Sequence, residues 1–284
     1  MLNLRHVESL LAVLSAGSFR AAARQLGRPQ PTLTQHIQKL ESELAVRLLT
    51  RTAGGCSPTA EGLTFLPYAR ALMRTQARAL VALSTGRLAL GASGNIGVYL
   101  LQPVIARFAS HGYPLPEVTI APNPEIAEML HRGEIDLAMM EWWDHRPGFT
   151  AVRWRSEELV VVVSPTHPWA ERSCIEAAEL AGQPIIGGEP GTGTGRILAK
   201  ELGEVGRQLT ITLTLGSTEA VKNAVQAELG ISILLAGSVA REVEAGRLCA
   251  VNLRGVELRK DLFAIHPDDL PRGSPAHPFA QLLA

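Results

Sequence analysis

Two neighbouring segments near the start of the chain restrict its fold most. They are Ser18-Phe19-Arg20-Ala21-Ala22-Ala23-Arg24-Gln25-Leu26-Gly27 and Gln30-Pro31-Thr32-Leu33-Thr34-Gln35-His36-Ile37-Gln38-Lys39-Leu40-Glu41. A serine such as Ser18 accepts a free backbone N–H at a helix start. Gly27 suits the left-handed turn that stops a helix. Pro31 is tolerated in the first turn of the next one. Leu33, Ile37, Leu40 and Leu44 then recur at helical spacing, while Gln30, Thr32, Gln35, Gln38 and Lys39 occupy the opposite face. With Leu10-Leu11-Ala12-Val13-Leu14 ahead of them, the segments read as three short helices with two tight joints. The second pair has the helix-turn-helix pattern. Most helix pairs are only packing units, so the pattern needs support.

Charge supplies some. Residues 1–83 hold ten Lys/Arg and four Asp/Glu, a balance of +6; the other 201 hold 17 and 23, a balance of −6. The net charge of zero is thus a cancellation between a basic head and an acidic body. A basic head is what phosphate contact requires. After the third helix, Arg47-Leu48-Leu49-Thr50-Arg51-Thr52-Ala53-Gly54-Gly55-Cys56-Ser57-Pro58-Thr59 reads as a two-stranded wing around a Gly-Gly turn. The expected partner is double-stranded DNA. The third helix would enter the major groove, with Gln30, Thr32 and Gln35 on base edges. Arg51 would contact phosphate, and Arg47 and Arg51 are placed to reach the backbone or a minor groove.

The segment resembles the winged helix-turn-helix of the LysR-type transcriptional regulators. The matching residues are Gly17-Ser18-Phe19, Ala21-Ala22, Leu26, Gln30-Pro31, Leu33-Thr34, Ile37, Leu40-Glu41, Arg51 and Thr59-Ala60-Glu61-Gly62. The chain departs from the pattern at Pro29, where the family has Ser or Thr, and at His36, where it has Gln. It also departs at Ala45 and Gly54, where the family has Gly and Arg. The resemblance implies DNA contacts from Ser18, Arg20, Gln30, Pro31, Thr32, Thr34, Gln35, Gln38, Lys39, Arg47 and Arg51.

Residues 59–85 read as one long helix with Pro67 inside it, a residue that removes a backbone donor and bends a helix. Leu66, Met73 and Leu80 stand seven apart. Either the helix lies on its own domain or, as the family implies, it forms a dimer seam through those three residues. The resemblance also carries self-association to a dimer or tetramer, with RNA polymerase as a further candidate partner.

Beyond Gly86 the period changes. Strands at 87–91, 118–121 and 135–140 alternate with helices at 96–109 and 124–132, which calls for a parallel sheet with covered faces. Leu159-Val160-Val161-Val162-Val163 reads as a strand crossing into a second lobe. That lobe alternates strands at 184–188, 209–215 and 231–235 with helices at 195–202 and 218–228. Phe263-Ala264-Ile265-His266 reads as the return, and 279–284 as a closing helix. The fold class is α/β: a winged helix-turn-helix (1–58), a linker helix (59–85) and a two-lobed body (86–284). Lobe I takes 86–161 and 266–284, and lobe II takes 162–265. The body resembles the type 2 periplasmic-binding-protein fold, the effector domain of the LysR family.

Ligands of open α/β sheets bind at the carboxyl ends of strands, where helix starts present free N–H groups. Four junctions qualify here. They supply Ser93, Gly94 and Asn95; Asn123; Gly191, Thr192, Gly193 and Thr194; and Ser217 and Thr218. The glycine run lacks the ending of a P-loop and the spacing of a dinucleotide fingerprint. Glu141-Trp142-Trp143-Asp144 follows the third strand. Glu141 and Trp142 join the candidate effector set, with the tryptophans read either as pocket lining or as packing between lobes or subunits. The expected effector is a small anion.

Cys56, Cys174 and Cys249 are far apart and have no His at ligand spacing, so neither a metal nor a disulfide framework is expected. No cofactor is expected. No stretch approaches the roughly 20 apolar residues of a membrane helix, and Met1-Leu2-Asn3-Leu4-Arg5-His6 has no signal-peptide core. A cytoplasmic, membrane-free protein is expected. The eight histidines are scattered and form no catalytic constellation. The alternative to a regulator is a cytosolic two-lobed binding protein or enzyme with a helical appendage.

Overall fold

The computed structural model describes residues 1–52, 55–188, 193–270 and 272–283, without the side chains of 51, 52, 81 and 82. Two compact units are present: residues 1–84 with 132–134, and the rest of the body.

The first unit opens with α1 (Leu4–Ala16), α2 (Phe19–Leu26) and α3 (Gln30–Leu44). The Ser18 hydroxyl accepts the Ala21 N–H at 3.2 Å, and Gly27 closes α2 in the left-handed conformation. Pro29 gives α3 no side-chain cap. The three helices enclose Val13, Ala22, Leu33 and Ile37. The wing is an antiparallel pair, β1 (Leu49–Thr52) and β2 (Gly55–Pro58), in register from Leu49↔Pro58 to Thr52↔Gly55.

The linker helix α4 (Ala60–Thr85) runs through Pro67. Thr59 explains the Thr-x-x-Gly motif at its start. The Thr59 hydroxyl donates to the Arg47 carbonyl at 2.6 Å and accepts the Gly62 N–H at 2.9 Å. A Cβ on Gly62 would lie 2.1 Å from the Leu48 carbonyl oxygen, so only glycine fits. Phe65, Ala69 and Met73, four residues apart, pack against the head core of Val7, Leu10, Leu40 and Leu48. Met73, in line with buried Ala69 by helical periodicity, is half-buried against the head. Leu66 is half-buried, and Leu80 stays exposed with Leu63, Tyr68, Leu72 and Leu83.

In the body, lobe I carries β3 (Ala89–Ser93), a π-helical turn (Ile96–Leu100), α5 (Gln102–Ser110), β4 (Glu117–Ala121), α6 (Asn123–His131) and β5 (Leu137–Met140). The single helix expected over 96–109 is therefore two pieces. β3 pairs in parallel with β4 and β5. The long β6 (Phe149–Val163) leads to lobe II: β7 (Cys174–Ile175), a 3₁₀ turn (Ala177–Leu180), β8 (Ile185–Gly187), α7 (Thr194–Glu201), α8 (Glu204–Gln208), β9 (Ile211–Thr214), α9 (Thr218–Gln226), β10 (Ser232–Leu235), α10 (Ala236–Glu244) and β11 (Cys249–Leu253). The chain returns through β12 (Arg259–Pro267) and ends in α11 (Ala276–Leu283).

β6 serves both sheets. Its residues 149–158 pair with β12, and 159–163 lie between β10 and β11. The crossing thus falls between Glu158 and Leu159, earlier than the expected 161/162 division. β12 runs beside β6 from Arg259 onward and beside β5 over Phe263–Ile265, so it joins the lobe I sheet before residue 266. Apolar sequence marks burial, while strand pairing decides which lobe owns a residue. The run Leu159–Val163 is apolar on both sides because both faces are covered. Leu159, Val161 and Val163 pack with Ile233 and Val251, and Val160 and Val162 pack with Val221 and Val239.

Candidate functional site

The head presents one polar surface. α3 turns Leu33, Ile37 and Leu40 inward and leaves Gln30, Pro31, Gln35, Gln38 and Lys39 exposed, with Thr32 and Thr34 half-buried. Arg20 on α2 is exposed as well. Two expected contacts already have local duties: Ser18 caps α2, and the Thr34 hydroxyl donates to the Gln30 carbonyl at 3.2 Å. Arg47 keeps 83% of its side chain exposed while approaching Glu41 at 3.4 Å. The Arg51 side chain lies outside the described residues.

Glu41, which the contact list passed over, holds the wing to the helix. It is buried, and its Oε1 accepts the N–H groups of Leu48 at 2.7 Å and Leu49 at 3.2 Å. His36 makes a 2.8 Å contact through Nδ1 with Ser9 Oγ and lies 4.8 Å from the His6 ring. Burial, then the charges of His6, Arg28, Lys39 and Arg5, lower its pKa below the usual 6.5.

In the body, the strand ends converge on a buried ion pair. Glu141 follows β5 and is fully buried; Lys260 on β12 is 1% exposed. Lys260 Nζ donates to Glu141 Oε2 and to Thr194 Oγ1, each at 2.8 Å. The same carboxylate accepts from Ser93 Oγ at 3.3 Å and from Asn95 Nδ2 at 3.1 and 3.2 Å. Thr218 Oγ1, at the first turn of α9, donates to Asn95 Oδ1 at 2.6 Å. Residues 46 to 123 positions apart in the chain therefore share one polar network between the lobes. Sequence reading missed Lys260, because a lysine inside a crossing strand looks like a solvent-facing residue.

A cavity of about 390 Å³ opens beside this network, with Asn95, Gly193, Thr194, Thr218 and Lys260 in its lining. Other expected residues do not reach it. Asn123 is a brace: its Oδ1 accepts the Glu141 N–H at 2.8 Å, and its Nδ2 donates to the Trp142 carbonyl at 3.1 Å. Ser217 is exposed and caps α9 by accepting the Ala220 N–H. Gly94 is half-buried beside Ser93. Trp142 lines a second cavity of about 480 Å³, where the Arg196 guanidinium lies 4.5 Å from its ring centre. Trp143 is core, edge-on to Phe149. Gly191 and Thr192 lie outside the described residues.

Known proteins match both units. Residues 4–63 match the family described as bacterial regulatory helix-turn-helix protein, lysR family, and residues 82–284 match the LysR substrate binding domain. A putative HTH-type transcriptional regulator, PtxE, of Stutzerimonas stutzeri is 48% identical over 196 residues, 68% of this chain and all of that one. The HTH-type transcriptional regulator CbbR of Sinorhizobium medicae is 33% identical over 272 residues, 93% of this chain and 86% of that one. The full-length structure of CbnR with its target DNA shares the fold, with a TM-score of 0.57 at 23% identity, covering 99% of this chain and 98% of that one. These relatives are regulators rather than enzymes, and the chain belongs to the LysR family of DNA-binding transcriptional regulators, with a small-molecule effector domain as its body.

Proposed function

We propose that α3 reads an operator through Gln30, Thr32 and Gln35, and that Lys39, Arg20, Arg47 and Arg51 hold the phosphates. The observation that carries this reading is the two-sided character of α3. Its apolar face is sealed into the head core, and its polar face stands open on a unit with excess positive charge. The effector binds in the body at the Ser93, Asn95, Thr194, Thr218 and Glu141 network and changes operator affinity or bending. Gly193 borders that site, and Gly191, Thr192, Trp142, Gly94, Asn123 and Ser217 complete the proposed effector set. Self-association to a dimer or tetramer runs through Leu66 and Leu80 of α4 and the exposed leucines beside them. RNA polymerase is the further partner of a regulator bound at a promoter. No helix is long and apolar enough to cross a membrane among the described residues, in keeping with a cytoplasmic location.

Selection of binding sites from random duplexes tests the head. Enrichment of a defined operator is expected. Gln35→Ala should then relax choice at one base position, since a bidentate contact supplies about 1–3 kcal/mol of discrimination. Lys39→Ala should weaken all sequences alike and reduce the salt slope by about 1. Failure to enrich any sequence would overturn the reading.

A further inference from the structure

The cavity beside Lys260 joins apolar and polar lining. Ile185, Leu198, Ile233 and Leu235 are buried in its wall, Ile211 borders it at 55% exposure, and Lys260 is the only charged residue among the described residues that border it. An ammonium has three N–H donors. Two of them are engaged, by Glu141 Oε2 and Thr194 Oγ1. Glu141 therefore already neutralises the cation of the site, and Ser93 and Asn95 also donate to that same carboxylate. A ligand head entering here meets one remaining donor direction on Lys260 and a buried carboxylate on the far side of the ammonium.

We propose that this cavity takes an amphipathic monoanion: a single carboxylate-type head on Lys260 with an apolar body in the Ile/Leu chamber. The inference rests on the effector reading above and narrows it. The chamber favours a hydrocarbon body because its walls offer apolar contact and its volume is that of a small-molecule site. The head carries one charge at most. A single negative charge shares Lys260 with Glu141. A second would face Glu141 with no other cation bordering the cavity among the described residues, and repulsion is strong in a buried setting. Glu141 thus acts as a charge limit on the ligand, and compact polyanions such as inorganic phosphate are rejected. They also leave the apolar chamber unfilled.

Calorimetric titration of the full chain tests this with hexanoate, hexanamide and inorganic phosphate as probes. Hexanoate should bind at least tenfold tighter than phosphate and tighter than hexanamide. Glu141→Gln keeps the hydrogen-bonding shape and removes the charge, so it should shrink the hexanoate-to-phosphate ratio at least fivefold. Lys260→Met alone strands a buried carboxylate and threatens folding. The double variant Glu141→Gln, Lys260→Met avoids this and should lose the preference for hexanoate over hexanamide. Phosphate binding the unaltered protein as tightly as hexanoate would overturn the ligand class and leave the effector cleft standing. An unchanged ratio in Glu141→Gln would overturn the charge limit. If no probe binds and none alters the DNA complex, the effector cleft itself is misplaced and the inference falls with it.

Discussion

The Tyr99 hydroxyl, on the π-helical turn of lobe I, donates a 2.7 Å hydrogen bond to Glu219 on the first turn of α9 in lobe II. Lys222, one turn on, reaches the same carboxylate at 2.7 Å and lies 5.1 Å from the Tyr99 ring centre. π-Helical turns recur at functional sites, and this one ties lobe I to lobe II through Glu219. Burial pushes the Glu219 carboxyl up, but hydrogen bonds from Lys222 and Tyr99 and the Lys222 charge outweigh it and leave the pKa below its usual 4.5. The folded value is depressed, so the contact contributes above the unfolded pKa and is lost as pH falls through the folded one. Tyr99→Phe should raise amide exchange in 96–100 and 218–222 at pH 7. The unaltered protein should show the same rise only once the pH falls below the usual carboxylate range, because the folded Glu219 value is depressed. Equal exchange in the two proteins at pH 7 would count against a latch.

Glu41 should matter to the wing more than to DNA directly. Glu41→Ala leaves the Leu48 and Leu49 amides without their acceptor, at a cost of about 1–3 kcal/mol. Denaturant unfolding followed by a probe in the head should register the loss. Operator affinity should fall without a change in base preference.

Ala45 ends α3 at φ 56, ψ 26, a left-handed conformation that its Cβ disfavours. It stands where the family pattern has glycine. Ala45→Gly should stabilise the head by about 0.5–1 kcal/mol, because strain relief outweighs the added freedom of the unfolded chain. A lower denaturation midpoint would contradict this.

Leu80 and Met73 should behave differently. Leu80 is 62% exposed, whereas Met73 packs on the head core. Leu80→Asp should lower the oligomeric state in analytical ultracentrifugation and leave head stability unchanged. Met73→Asp should destabilise the head by about 2 kcal/mol or more through a charge placed against apolar surface.

The sequence by itself determined the local events. Ser18 and Gly27 bound α2 because a hydroxyl and a missing Cβ act within a few residues. Helical spacing separated the buried Leu33, Ile37 and Leu40 from the polar face of α3, and alternation of strands and helices announced two α/β lobes. Tertiary structure decided everything set by contacts between distant segments. It laid Met73 against the head core and made Asn123 a brace for Glu141. It sent Trp143 to the core while Trp142 faced a cavity, though the two are adjacent in the chain. It also placed Lys260 beside Glu141, 119 positions away. Periodicity reports which face of an element is covered, and only packing reports by what. A buried charge acquires its meaning from a partner that no local pattern names.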